Sequence, residues 1–288
     1  TLFDSNKEID FSANEKLIDR LIDAKINGIL LLGSTGEFPY MDTNEKSSFI
    51  ERGLKYINKR VPTIVGVSST ILEETYRLIE VAEKNMADAL IVIAPYYYTM
   101  DERGLYSYFS DIARKTALPI IIYNFPERNN INISPNLIYA LALEHKNIIG
   151  IKDTVDNISH TRKIILQFKN FNRDFYIFSG LDEYLIPNII WGGSGGICGL
   201  SNIAPKLYVE IVNAFKNKDI DRLVYLQGHL SILLEIFDIS NPFTIAIKYA
   251  LNYVDSTFKH FVKYPNITLD NKKVEQIEKI ISNIKEFV

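Results

Sequence analysis

Ala89-Leu90-Ile91-Val92-Ile93, an amphipathic stretch over residues 104–116, then Ile120-Ile121-Ile122-Tyr123: this succession decides the fold class. Neither apolar run alternates with polar residues, which is the pattern of parallel strands covered on both faces. The stretch between them has helical periodicity and the length of a crossover helix. Leu118-Pro119 stops that helix before the second strand, because a residue preceding proline avoids helical angles. One strand–helix–strand unit of a parallel α/β sheet is therefore legible here.

The unit recurs along the chain. Gly28-Ile29-Leu30-Leu31-Leu32, Thr63-Ile64-Val65-Gly66-Val67, Ile148-Ile149-Gly150-Ile151, Phe175-Tyr176-Ile177-Phe178 and Gly196-Ile197-Cys198 read as further buried strands. Helical periodicity covers residues 14–25, 43–58, 72–85 and 134–144. Asp42 or Thr43 is the expected N-cap of one helix, and Ser134 with Pro135 behind it caps another. The repetition predicts a (β/α)₈ barrel over residues 1–205, with a doubly wound sheet as the alternative. Seven strands can be counted, and the eighth is expected to precede Thr1. After residue 205 the strand patterns cease. Residues 207–217, 221–237, 243–251 and 274–287 read as helices, so residues 206–288 are expected to form a C-terminal helical region packed on the barrel.

Composition narrows the function. A chain of 288 residues that is 47% hydrophobic and 23% charged suits a soluble globular protein. A net charge of −3 argues against nucleic acid as the main partner. No run approaches the ~20 apolar residues of a membrane helix, and the first residues do not resemble a signal peptide. The single cysteine, Cys198, excludes an internal disulfide and fits a reducing cytoplasm. The four histidines stand apart without metal-ligand spacing, so a metal site is not expected, and the sequence as a whole calls for no cofactor.

Lys152 closes the apolar run 148–151. A cation at a buried strand end costs desolvation energy unless it is paired or chemically used. Desolvation favours the neutral amine, a nucleophile that can form a Schiff base with a ketone. The plainer alternative is a lysine whose head reaches solvent. In a barrel the carboxyl ends of the strands face the active site. That rule gathers Ser34 and Thr35, Tyr96-Tyr97-Tyr98, Tyr123 and Lys152 at one mouth. Gly33-Ser34-Thr35-Gly36 reads as a tight turn able to offer amides and hydroxyls to an anion, and it lacks the lysine of a P-loop. Glu37 is expected to orient that turn or accept its amides. The glycine cluster at 192–196 fails the dinucleotide fingerprint and reads as a place of close backbone approach.

Taken together, these motifs resemble the pyruvate-dependent class I aldolases that include dihydrodipicolinate synthase, N-acetylneuraminate lyase and 2-keto-3-deoxygluconate aldolase. The resemblance covers essentially the whole chain. It rests on Gly33 to Glu37, Pro95-Tyr96-Tyr97, Tyr123-Asn124-Phe125-Pro126, Gly150-Ile151-Lys152-Asp153, Ser179-Gly180-Leu181-Asp182 and the Gly192–Gly196 cluster. It implies that Lys152 forms an imine with a 2-oxo acid and that Tyr123 shuttles the proton of the C4 hydroxyl. It further implies that Thr35 holds the substrate carboxylate. Ser34 would join Tyr123 in a proton relay completed by Tyr97 of a neighbouring subunit. Ile197 matches the position whose carbonyl lies beside the imine.

The motif Gly150-Ile151-Lys152-Asp153-Thr154, with Asp156, His160 and Phe125, is similar to that of 2-keto-3-deoxy sugar-acid aldolases. Thr154 and Asp182 match polyol-contacting positions, with Asn241 as a further addition. Arg128 points the other way. It stands where dihydrodipicolinate synthases keep an arginine for the carboxylate of an aldehyde substrate. Glu127 precedes it, and Asn129-Asn130 replace the expected threonine and glycine. The sequence thus favours a sugar-acid aldolase. Dihydrodipicolinate synthase is the alternative, followed by N-acetylneuraminate lyase and a non-catalytic 2-oxo acid sensor. The resemblance also implies small-molecule partners only, a 2-oxo acid and an aldehyde, and a homotetramer built as a dimer of dimers.

Overall fold

Aliphatic runs become strands where both faces can be covered, and six of the seven strands here are such runs; the seventh is only Gly195–Gly196, where the sequence suggested residues 196–198. The computed structural model describes residues 1–288. Its contacts divide the chain into two compact units, Thr1–Val61 with Gly199–Val288, and Pro62–Cys198. Strand β1 (Ile29–Leu31) belongs to the first unit. The second unit carries β2 (Thr63–Gly66), β3 (Ala89–Ile93), β4 (Ile120–Asn124), β5 (Ile148–Asp153), β6 (Tyr176–Ser179) and β7 (Gly195–Gly196).

These six strands pair in parallel and in sequence order. Helices Leu72–Lys84, Glu102–Lys115, Pro135–Glu144, Ile158–Phe168 and Leu185–Trp191 return the chain between them. Asp101 and Ser134 cap two of these helices, their side chains accepting from the amides of Gly104 and Leu137. Val65, Leu90, Val92, Ile122, Ile148 and Ile151 are fully buried in the unit's core. Burying each such side chain contributes about 1.5–3 kcal/mol.

Two glycine positions show why the strands approach closely. A Cβ on Gly150 would stand 2.4 Å from the Tyr176 carbonyl oxygen, so β5 and β6 meet only because that position is bare. In the 192–196 cluster, a Cβ on Gly193 would stand 1.5 Å from Asn188 Oδ1. Asn188 uses that space to donate from Nδ2 to the carbonyls of Ile177 (3.0 Å) and Gly195 (2.6 Å). The close neighbour of the glycine cluster is thus an asparagine that staples β6 to β7.

In the first unit, residues 1–61 share one core with the C-terminal helices Pro205–Lys216, Ile220–Leu234, Thr244–Val254 and Asn271–Asn283. The expected helix over 221–237 is two elements, Ile220–Leu234 and a single turn Ile236–Ile239. Asp42, not Thr43, caps helix Thr43–Ile57, and Glu45 reaches back to the Asp42 amide to complete a capping box. No helix is long and apolar enough to cross a membrane.

Candidate active site

Tyr123 and Lys152 are register partners on β4 and β5. Side chains alternate along a strand, so one step later Asn124 and Asp153 pair on the opposite face. On the first face, Lys152 Nζ donates to the Tyr123 hydroxyl at 3.4 Å and lies 4.4 Å from the ring centroid. Both side chains are buried, Lys152 only 7% exposed. The plainer reading of Lys152 as a head reaching solvent is therefore set aside. A cation over an aromatic face and against its hydroxyl is partly compensated for its lost water.

The opposite face holds a polar network that fixes the strand ends. Asp153 is buried and accepts from Asn124 Nδ2 (2.9 Å) and the Thr161 hydroxyl (2.6 Å). The His160 ring bridges Asp153 Oδ2 and the Ile133 carbonyl, at 3.0 and 3.1 Å. Asn124 Oδ1 accepts the Ile133 amide and the Asn124 carbonyl accepts the Thr154 amide, at 3.1 and 2.8 Å. Lys152 and Tyr123 thus sit on strands cross-linked directly behind them. The sequence singled out His160, but it assigned no role to Asp153 or Asn124. The available signal was an acid and an amide one residue after the paired lysine and tyrosine.

Thr154 follows on the same strand end. It is 5% exposed, and its hydroxyl has no hydrogen-bond partner. A Cβ on Gly180 would stand 1.7 Å from that hydroxyl and 3.0 Å from Lys152 Cε. Thr154, Gly180 and Lys152 therefore crowd one point. Asp182 is buried at the start of a 3₁₀ turn, and the Ile197 amide donates to the Ser179 carbonyl at 2.9 Å. Burial pushes the Cys198 thiol well up, the Asp182 carboxylate adding to this and Lys152 opposing it. The thiol is thereby kept from acting as a thiolate nucleophile.

Arg128 lies on the short helix Pro126–Asn129, its guanidinium 5.4 Å from the Phe125 ring centroid and 3.9 Å from Glu127. Phe125 in turn stacks on Tyr123, with centroids 5.8 Å apart. Tyr97 adopts φ +97° and is 88% exposed, its ring edge-on to Tyr98. A tyrosine in the left-handed region is strained and, at this exposure, presents its ring to the outside.

Ser34, Thr35 and Asn241 belong to the first unit. Ser34 and Thr35 form a 3₁₀ turn, Ser34–Gly36, whose Gly36 and Glu37 amides bond back to the Gly33 and Ser34 carbonyls. Glu37 corrects one expectation. Its carboxylate does not accept the amides of its own turn; it is buried against Lys248 and accepts the Lys263 amide at 2.9 Å. Asn241 is exposed, ahead of helix Thr244–Val254. No three His, Cys, Asp or Glu side chains gather where they could hold a metal ion.

Comparison with known proteins places the chain in a family. The chain is 31% identical to the "Probable 2-dehydro-3-deoxy-D-pentonate aldolase YjhH" of Escherichia coli (strain K12), over 97% of this chain and 93% of that protein. It is 30% identical to YagE of the same organism, provisionally named a 2-dehydro-3-deoxy-D-gluconate aldolase, over 99% and 94%. The crystal structure of YagE in complex with pyruvate superimposes with a TM-score of 0.95 over 99% of this chain and 96% of that one. A monomeric dihydrodipicolinate synthase variant, 27% identical, superimposes with a TM-score of 0.92 over 100% and 95%. The fold is accordingly of the α/β, TIM-barrel-like type. The model of the Dihydrodipicolinate synthetase family matches residues 1–284, and the chain belongs to that family of lyases.

Proposed function

We propose that this protein is a Schiff-base aldolase that reversibly cleaves a 2-keto-3-deoxy sugar acid to pyruvate and an aldehyde. The observation that carries the reading is the buried Lys152 amine 3.4 Å from the Tyr123 hydroxyl. Lys152 Nζ adds to the C2 ketone, water leaves, and a protonated imine remains. With its own proton first passed to the relay that begins at Ser34, the Tyr123 oxygen takes the proton of the C4 hydroxyl as the C3–C4 bond breaks, and the imine nitrogen accepts the electron pair to give an enamine. The aldehyde departs. Protonation at C3 and hydrolysis then free pyruvate and the amine. Because the imine is the electron sink, the step calls for no metal or organic cofactor.

In this reading Thr35 holds the substrate carboxylate, and Ser34 and the Tyr97 of a neighbouring subunit extend the proton relay from Tyr123. The exposed, strained Tyr97 supports a role across a subunit contact, as in a homotetramer built from dimers. Ile197 supplies a carbonyl beside the imine. Thr154, Asp182 and Asn241 meet the hydroxyls of the sugar acid, and the partnerless buried Thr154 hydroxyl supports this choice of substrate. A site with an unmet polar group discriminates against a substrate that cannot pair it. The lone cysteine fits a cytoplasmic enzyme.

Arg128 favours a second reading, 4-hydroxy-tetrahydrodipicolinate synthase, because a guanidinium fork beside the Tyr123–Phe125 stack suits a second substrate carboxylate. Two measurements test these readings. Sodium borohydride should lock pyruvate covalently onto Lys152, with the adduct located by peptide mass. Pyruvate release from 2-keto-3-deoxygluconate, set against condensation with aspartate semialdehyde, separates the two substrates. Covalent trapping that persists in Lys152→Ala would overturn both.

A further inference from the structure

The Glu37–Lys248 ion pair is buried in the first unit, with the two residues 1% and 3% exposed. Neither side chain is needed by the chemistry above. Lys248 comes from helix Thr244–Val254, and its ammonium also donates to the Phe261 carbonyl at 2.8 Å and lies 4.3 Å from the Phe3 ring centroid. The second Glu37 oxygen accepts the Lys263 amide at 2.9 Å. Lys263 then reaches across to Glu45, the capping-box acid of helix Thr43–Ile57, and to the Lys7 carbonyl at 3.1 Å. Two acids that follow the Ser34–Gly36 turn are thereby tied to two lysines some two hundred residues further along.

What these ties hold is specific. Glu37 ends the turn in a left-handed conformation, φ +59° and ψ +28°, which a residue with a Cβ adopts at a cost of about 1 kcal/mol. Its amide donates to the Ser34 carbonyl at 3.1 Å, so the Glu37 backbone sets the direction in which Ser34 and Thr35 point. Thr35 is confined from the other side, since a Cβ on Gly199 would stand 3.1 Å from its hydroxyl. Nor does net stability by itself account for a buried pair of this kind. Burial pulls Lys248 down to about 8 even though Glu37 opposes it, so its charged form is disfavoured in place. A buried pair of this kind is often replaced by neutral groups without loss of stability.

We infer that Glu37 and Lys248 are positioning residues that hold the Ser34–Thr35 turn in the geometry that binds the 2-oxo acid carboxylate. The inference rests on the carboxylate role given to Thr35 under the proposed function.

The test compares the parent with Lys248→Met, Glu37→Gln and the double variant Glu37→Gln/Lys248→Met. Pyruvate is titrated in the borohydride reaction, and thermal stability is recorded alongside. The double variant removes both charges, so it should melt near the parent while needing about tenfold more pyruvate for half-maximal trapping, the loss of one charge-assisted hydrogen bond. Trapping at saturating pyruvate should still go to completion, because Lys152 is untouched. Lys248→Arg, which keeps the charge, should restore most of the affinity. In a Thr35→Val background the same double substitution should add little, since residues acting through one group are not additive.

A double variant with the parent's half-saturation overturns the inference and leaves the aldolase reading standing. A parent that traps no pyruvate overturns both. Should the neutral variants fail to fold, Glu37→Asp decides: it keeps both charges and withdraws the carboxylate by one methylene. An unchanged pyruvate requirement there also overturns the inference.

Discussion

Lys152 Nζ and the Tyr123 hydroxyl stand 3.4 Å apart because the residues are register partners on neighbouring parallel strands. Such a pair needs no loop to bring it together; the hydrogen-bond ladder does so. The phenol lies against the amine whose imine it would serve under the proposed function. Tyr123→Phe keeps the ring and the stack on Phe125 but removes the hydroxyl proposed to carry the proton. Borohydride trapping of pyruvate by Tyr123→Phe should survive, while turnover in cleavage falls by roughly 10²–10⁴-fold. Loss of both together would instead assign Tyr123 to imine formation.

Gly180 should tolerate no side chain. A methyl there overlaps the Thr154 hydroxyl and presses on Lys152 Cε. Both neighbours are buried, so neither can swing away cheaply. Gly180→Ala is expected to lose about 1–3 kcal/mol of stability and to slow trapping at saturating pyruvate. Gly195→Ala is the matched control: it meets strain at φ +125° but open space around its Cβ. It should cost stability while leaving the trapping rate unchanged.

Asp153 anchors the strand ends behind the proposed nucleophile. In Asp153→Asn one acceptor oxygen becomes a donor, and the Asn124 amide or the Thr161–His160 pair is left facing N–H groups. Unfolding in denaturant should show a loss of about 2–4 kcal/mol, against about 1 kcal/mol for Thr161→Val, which removes a single donor. Equal losses in the two variants would show that the carboxylate charge carries no special weight.

The sequence made the strands legible because buried parallel strands are uninterrupted aliphatic runs, and Lys152 stood out as the one charge closing such a run. Helix ends marked by proline or a capping acid were equally plain, as at Ser134-Pro135 and Asp42. Helix Leu185–Trp191 was not, since Pro187 lies inside its first turn and a two-residue strand follows it closely. The long-range partners of Glu37 were out of reach for a different reason. Local periodicity says that Lys248 interrupts the apolar run of helix Thr244–Val254, but nothing local says which acid it meets. Asp153 was hidden by its neighbour: alternation sends it to the face away from Lys152, where its partners come from other elements.

Lys248 gives a pH dependence whose sign can be worked out. Burial lowers its pKa from 10.5 to about 8, with Glu37 opposing and Lys7 adding to the fall; Lys263 shares the Phe3 ring with it. Below pH 8 the folded and unfolded chains both hold the proton, and the cost of the buried charge is present in full. Between pH 8 and 10.5 the folded chain has released it while the unfolded chain has not. Unfolding then takes up a proton, so this group's contribution to stability climbs as pH rises, by about 1.4 kcal/mol per pH unit. The whole climb is on the order of 3 kcal/mol. Lys248→Met has no such proton to release, so the parent should gain on the variant steadily across that window in denaturant titrations. A stability difference that stays flat from pH 7 to pH 10 would mean that Lys248 keeps its proton in the fold.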